Sequence, residues 1–158
     1  MRLMYERQGK ALEIRPSQVP SLRQGDKLKL TVNNTLNRPV DLNVLSIDSR
    51  YGIQHVALER FEPRSQSSFD IGDIDTTVTA GREGIVTIVT EAQEGQPQAD
   101  FRFLSQPTLV ATRGGGGPLM DLFEAAGFNP ERTRGLAAPA RTLSTTSLRL
   151  FSWDALAK

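Results

Sequence analysis

Polar and apolar residues alternate one for one through several separate stretches of this 158-residue chain, with no helical periodicity between them. In Lys27-Leu28-Lys29-Leu30-Thr31-Val32 the apolar members fall on one side and the polar members on the other. That is the period-two signature of a half-buried strand. Val40–Ile47 repeats it, with Val40, Leu42 and Val44 on one face, and Ile53–Leu58 returns after the turn Asp48-Ser49-Arg50-Tyr51-Gly52 as the clearest hairpin. Lys10–Arg15, Ser67–Ile71 and Thr145–Trp153 also read as strands. Ile85–Thr90 is the most β-branched run and reads as a central strand, entered through a turn at Gly81-Arg82-Glu83-Gly84.

Short strands joined by Gly, Pro and Asn turns, without βαβ crossovers, exclude doubly wound and barrel α/β folds. The expected fold is mainly β, an antiparallel immunoglobulin-like β-sandwich forming a single domain over residues 1–158. A short helical insertion is expected before the last strand, at about 104–135. Pro118–Gly127 supplies its helix, with proline at the first position, Leu119, Leu122, Phe123 and Ala126 on one face, and a C-terminal glycine. Residues 105–117 and 135–144, rich in Gly, Pro, Ala and Thr, read as mobile segments. Phe101–Leu104 reads either as the start of a strand or as a turn of helix.

Composition narrows the chemistry. The chain has no cysteine and one histidine, His55, so disulfides, thiolate metal sites, cysteine nucleophiles and multi-histidine zinc sites are excluded. Nineteen Lys+Arg stand against 18 Asp+Glu, without the basic excess that phosphate neutralisation demands of a nucleic-acid binder. The apolar runs are too short to span a membrane, and Met1–Glu6 meets charge at once, unlike a signal peptide. Gly114–Gly117 precedes a helix, but Pro118-Leu119 stands where a phosphate loop needs Lys and Ser/Thr, so a linker is the reading. Asp70, Asp73 and Asp75 cluster without the spacing of an EF-hand and read as solvated carboxylates rather than a calcium site. His55 has no nucleophile or orienting carboxylate at a recognisable spacing. No catalytic, cofactor-binding or metal-ligating residue is therefore expected. One face of Leu148–Trp153 is expected in the core.

Three segments in this order, Gln24–Val32, Val44–Val56 and Thr79–Val89, resemble an uncharacterised β-sandwich domain that follows the catalytic part of bacterial caspase-like cysteine peptidases. The tail fits as well: Thr112-Arg113-Gly114, a Leu/Ala helix, Thr133-Arg134-Gly135 and Phe151-Ser152-Trp153. The resemblance covers roughly residues 10–156. It departs after the hairpin, where the family's apolar Leu-Phe-Pro is replaced by the longer, more polar Leu58-Glu59-Arg60-Phe61-Glu62-Pro63. What it implies is a parent polypeptide with a Cys–His dyad upstream, outside this chain, and no catalytic residue carried over. The implied role is a non-catalytic accessory domain for interaction or regulation, which docks on the peptidase domain, recognises its target or restrains its activity. The candidate contacts are the hairpin tip, Asp48, Ser49, Arg50 and Tyr51, and the arginines Arg113 and Arg134. The other reading is an independent β-sandwich that binds a small ligand or carbohydrate through its loops, although aromatic residues to line a sugar site are few.

Overall fold

The structure, a computed structural model, describes residues 1–75, 81–93, 95–108 and 146–156. It is mainly β and sandwich-like. The strands are β1 (Arg2–Arg7), β2 (Lys10–Ile14), β3 (Ser21–Leu22), β4 (Lys27–Asn33), β5 (Val40–Ile47), β6 (Ile53–Phe61), β7 (Gln66–Asp73), β8 (Gly81–Glu91) and β9 (Ser147–Ala155). A four-stranded sheet has the order β2-β1-β4-β7, and a five-stranded sheet has the order β3-β9-β8-β5-β6. All pairings are antiparallel except β3 with β9.

The alternation read from the sequence becomes the core. Leu28, Leu30 and Val32 of β4 and Leu3 and Tyr5 of β1 meet Leu42 and Val44 of β5, Ile85 of β8 and Phe151 and Trp153 of β9 in one cluster. The face of β9 that enters the core is thus the one bearing Phe151 and Trp153. Each fully buried side chain of this kind contributes roughly 1.5–3 kcal/mol relative to an exposed one. The sheets are also tied at one end by charge. Asp26, buried at the entry to β4, accepts two bonds from Arg7 Nε at 2.9 and 3.2 Å and one from the Arg23 amide at 2.9 Å. Arg7 in turn donates to the Ser21 carbonyl, fixing β3 in place. The Arg7 guanidinium holds the Asp26 carboxyl below its ordinary value against the opposing effect of burial.

Two differences from the sequence reading stand out. Gly81–Gly84, expected as a turn, already belongs to β8 and pairs with Ser152–Ala155. Gly84 is needed there because a Cβ would lie 2.7 Å from the Phe151 carbonyl oxygen. Strands β1 and β3 were not expected at all. Phe101–Leu104, read as either the start of a strand or a turn of helix, takes the second form as the single 3-10 turn Arg102–Leu104. The expected helix at Pro118–Gly127, the body of the insertion at 104–135 and the segment 135–144 fall outside the described residues, as do 109–117 of the segment 105–117.

Candidate interaction surface

Strands β5 and β6 form a hairpin whose tip is organised from within by Asp48. Its Oδ1 accepts the Arg50 and Gly52 amides, each at 2.8 Å, and its Oδ2 accepts the Thr108 hydroxyl at 2.7 Å. The backbone closes the same turn, with the Tyr51 amide on the Asp48 carbonyl and the Asp48 amide on the Gly52 carbonyl, both at 3.0 Å. Burial pushes the Asp48 carboxyl up. The bonds from Thr108, Gly52 and Arg50 together outweigh it and hold the carboxyl below its ordinary value. Gly52 is required for this packing: a Cβ there would lie 2.4 Å from Asp48 Oδ2 and 2.8 Å from Thr108 Oγ1.

The loop is a type I turn followed by a residue in the left-handed region, a position that glycine usually takes. Here it is Tyr51, with φ of 62° and 65% exposure. Its carbonyl accepts Gln106 Nε2 at 2.8 Å. The four expected contact residues therefore divide. Asp48 is a structural staple, and Ser49 is half-buried beside Gly81. Arg50 and Tyr51 are the ones presented to solvent. Arg113 and Arg134 lie outside the described residues.

A second layer covers the outer face of the five-stranded sheet beside the tip. Residues 95–108 cross β5 and β6 as a strap, held by polar residues that the sequence placed on the solvent side of β5. Asn43, fully buried, donates to the Ala99 carbonyl at 2.7 Å and accepts the Phe101 amide at 3.1 Å. Those two bonds fix the orientation of its amide, so His55 Nε2, 2.9 Å from Asn43 Oδ1, must be the donor. His55 is thereby engaged in holding the strap. Asp41, 1% exposed, takes Arg60 in a bidentate pair at 2.7 and 3.0 Å and the Ala99 amide at 3.0 Å. Burial raises the Asp41 carboxyl, and the bonds from Arg60 and Ala99 bring it below its ordinary value. At its far end the strap exchanges two backbone bonds of 2.9 Å between Gln106 and Ile53.

The strap brings Phe103 and Leu104 to the surface at 76% and 39% exposure, in the 3-10 turn that packs along β6. Between tip and strap lies an open cleft of about 530 Å³ lined by Ser46, Asp48, Gln54, Ser105, Gln106 and Thr108 among others. Asp70 and Asp73 register opposite Lys27 or Lys29 of β4, where opposite charges stabilise the pairing. Among the described residues no three His, Asp or Glu side chains are grouped to hold a metal ion. Nor is any helix among them long and apolar enough to cross a membrane. No known protein family, curated protein or solved structure matches the chain.

Proposed function

We propose that this chain is a non-catalytic accessory domain that recognises another protein through its β5–β6 hairpin tip and the adjoining strap. The observation that carries the reading is Tyr51, a large aromatic held in a left-handed conformation with its ring turned to solvent. That conformation costs a non-glycine residue roughly 1–2 kcal/mol, which points to selection for the exposed side chain. Exposed Phe103 and Leu104 extend the apolar surface, and such surfaces mark protein contacts. In the resemblance drawn from the sequence, the partner is a caspase-like peptidase domain or its target. The strand order supports an immunoglobulin-like arrangement, with short β3 lying parallel to the last strand and β8 between β5 and β9.

Tyr51→Gly tests the reading, since glycine adopts the same backbone without strain and removes only the ring. Immobilised wild-type protein is expected to retain a partner from its source cells that Tyr51→Gly releases, with thermal stability preserved. Equal retention by both proteins, or none by wild type, would overturn the assignment. Peptide mapping of the native polypeptide addresses the parent protein: a chain near 17.4 kDa would remove the peptidase connection. The polar cleft beside the tip favours the second reading, a small-ligand binder, and a thermal-shift screen with hits lost on blocking Gln54 would promote it.

A further inference from the structure

Strand β9 is an edge for most of its length. β3 pairs with it only at Ser21↔Asp154 and Leu22↔Ala155. On that side the Asp154 amide donates to the Pro20 carbonyl and the Leu156 amide to the Leu22 carbonyl, each at 3.0 Å. Backbone groups of alternate residues point to the same side of a strand. Leu148, Leu150 and Ser152 therefore turn their amides and carbonyls toward an edge that no other strand among the described residues pairs.

The side chains there are unusual for an edge. Leu148 and Leu150 are 64% and 49% exposed on the outer face. They end two rows that run across the sheet, Asn43–Ile88–Leu148 and Leu45–Val86–Leu150, of which Leu45 and Ile88 are buried. Natural proteins defend open edges with charge, bulges or a covering segment. The other long edges here follow that rule. β2 carries Lys10 and Glu13, β7 carries Asp70 and Asp73, and β6 has a bulge at Val56 and the Gln106 bridge. β2 also exposes Leu12, but among the described residues only β9 offers two exposed leucines on one face beside a bare ladder.

We propose that this edge accepts an extended segment of a partner protein as an added strand, with apolar residues at alternate positions and an acidic residue between them. The ladder specifies a strand, because only an extended backbone matches its spacing of donors and acceptors. The leucine rows specify apolar residues opposite Leu148 and Leu150. Charge specifies the acid. Arg149 stands between the leucines, and neither it nor Arg2 has a carboxylate partner among the described residues. Both lie near the Met1 ammonium, which burial, then Arg149, then Arg2 lower from its ordinary value. The proposal rests on the interaction-module reading and places a second contact away from the Tyr51 tip.

The probe is a fluorescein-labelled octapeptide of alternating Val and Glu, with the Val–Lys octapeptide as control, read by anisotropy and by amide chemical shifts. Saturable binding is expected for Val–Glu, at least about tenfold tighter than for Val–Lys. The largest shifts should fall on the Leu148, Leu150 and Ser152 amides. Leu150→Pro removes the central donor and should weaken binding at least about tenfold. Where that variant fails to fold, Arg149→Glu carries the test and should reverse the preference to Val–Lys. No saturation by either peptide, shifts confined to other strands, or affinity unchanged in the folded variants would overturn the proposal. A dimer with these amides protected before peptide is added assigns the edge to a second copy. Protection in the monomer assigns it to the chain's own residues, and either result overturns the proposal. Tyr51→Gly should leave peptide affinity unchanged. Partner capture that survives Tyr51→Gly while Val–Glu binding is intact then refutes the tip reading alone, and capture released by Tyr51→Gly with no saturable Val–Glu binding refutes the edge alone.

Discussion

Replacing Asn43 by alanine tests whether the strap is held by a few buried polar bonds or by general contact. Asn43 is fully buried and makes three hydrogen bonds, to the Ala99 carbonyl, the Phe101 amide and His55. At a net value near 1 kcal/mol each, their loss should cost about 3 kcal/mol. The strap has a way to lessen the penalty, since it can lift from the sheet and return Ala99 and Phe101 to water. Urea denaturation should therefore show a loss of about 2–3 kcal/mol, with the slope changed little. Hydrogen exchange gives the more specific readout. The Phe101 amide should lose its protection, while the amides of β8 exchange at rates set by global stability. Binding that depends on Phe103 and Leu104 should weaken along with strap docking. A stability loss below about 0.5 kcal/mol, or a Phe101 amide as protected as in wild type, would refute the polar clamp.

Other consequences can be checked with similar means. Gly52→Ala should displace the Asp48 carboxylate, because the added methyl falls 2.4 Å from Oδ2; a loss of about 1–3 kcal/mol in denaturant, with faster exchange of the Arg50 amide, is expected. Thr90 buries a hydroxyl that makes no hydrogen bond among the described residues, so Thr90→Val should raise the melting temperature, and a decrease would show a missed partner. Asp26, Asp41 and Asp48 all have folded-state values below the ordinary 3.8. Their unfolded forms therefore bind protons first as pH falls. The stability they contribute is complete above that value and is lost as pH drops through it toward the folded values. Denaturation midpoints should be level with respect to these groups at neutral pH and fall below about pH 4, and the fall should shrink in Asp41→Asn.

How much of this was legible depends on what a residue pattern records. Alternation records which side of a strand is apolar, and it located β4 and β5 and put Leu28, Leu30, Val32, Leu42 and Val44 on the faces that form the core, whereas β8 was legible from its β-branched residues. It was equally present in β1, where Leu3 and Tyr5 point inward, but Met4 between them blurs the period and the flanking charges read as a polar terminus. Two-residue β3 has no period to detect. Gly84 carries a second kind of ambiguity: a glycine marks either a turn or a close approach, and only the Phe151 carbonyl 2.7 Å from its missing Cβ decides between them. The interaction surface was half legible for a deeper reason. Asp41 and Asn43 are the polar members of β5, so a period-two reading assigns them to solvent. They are instead 1% and 0% exposed beneath the strap. Polarity told correctly that they avoid the apolar core, yet it could not tell that a backbone segment more than fifty residues later would supply the hydrogen bonds that water supplies elsewhere. The sequence did hold a clue of a weaker sort. Arg60 and His55, on the partner strand, are the complements that a buried carboxylate and a buried amide require. Polar groups facing one another across a hairpin, in a chain that keeps its single histidine there, suit a covered surface better than a solvated one.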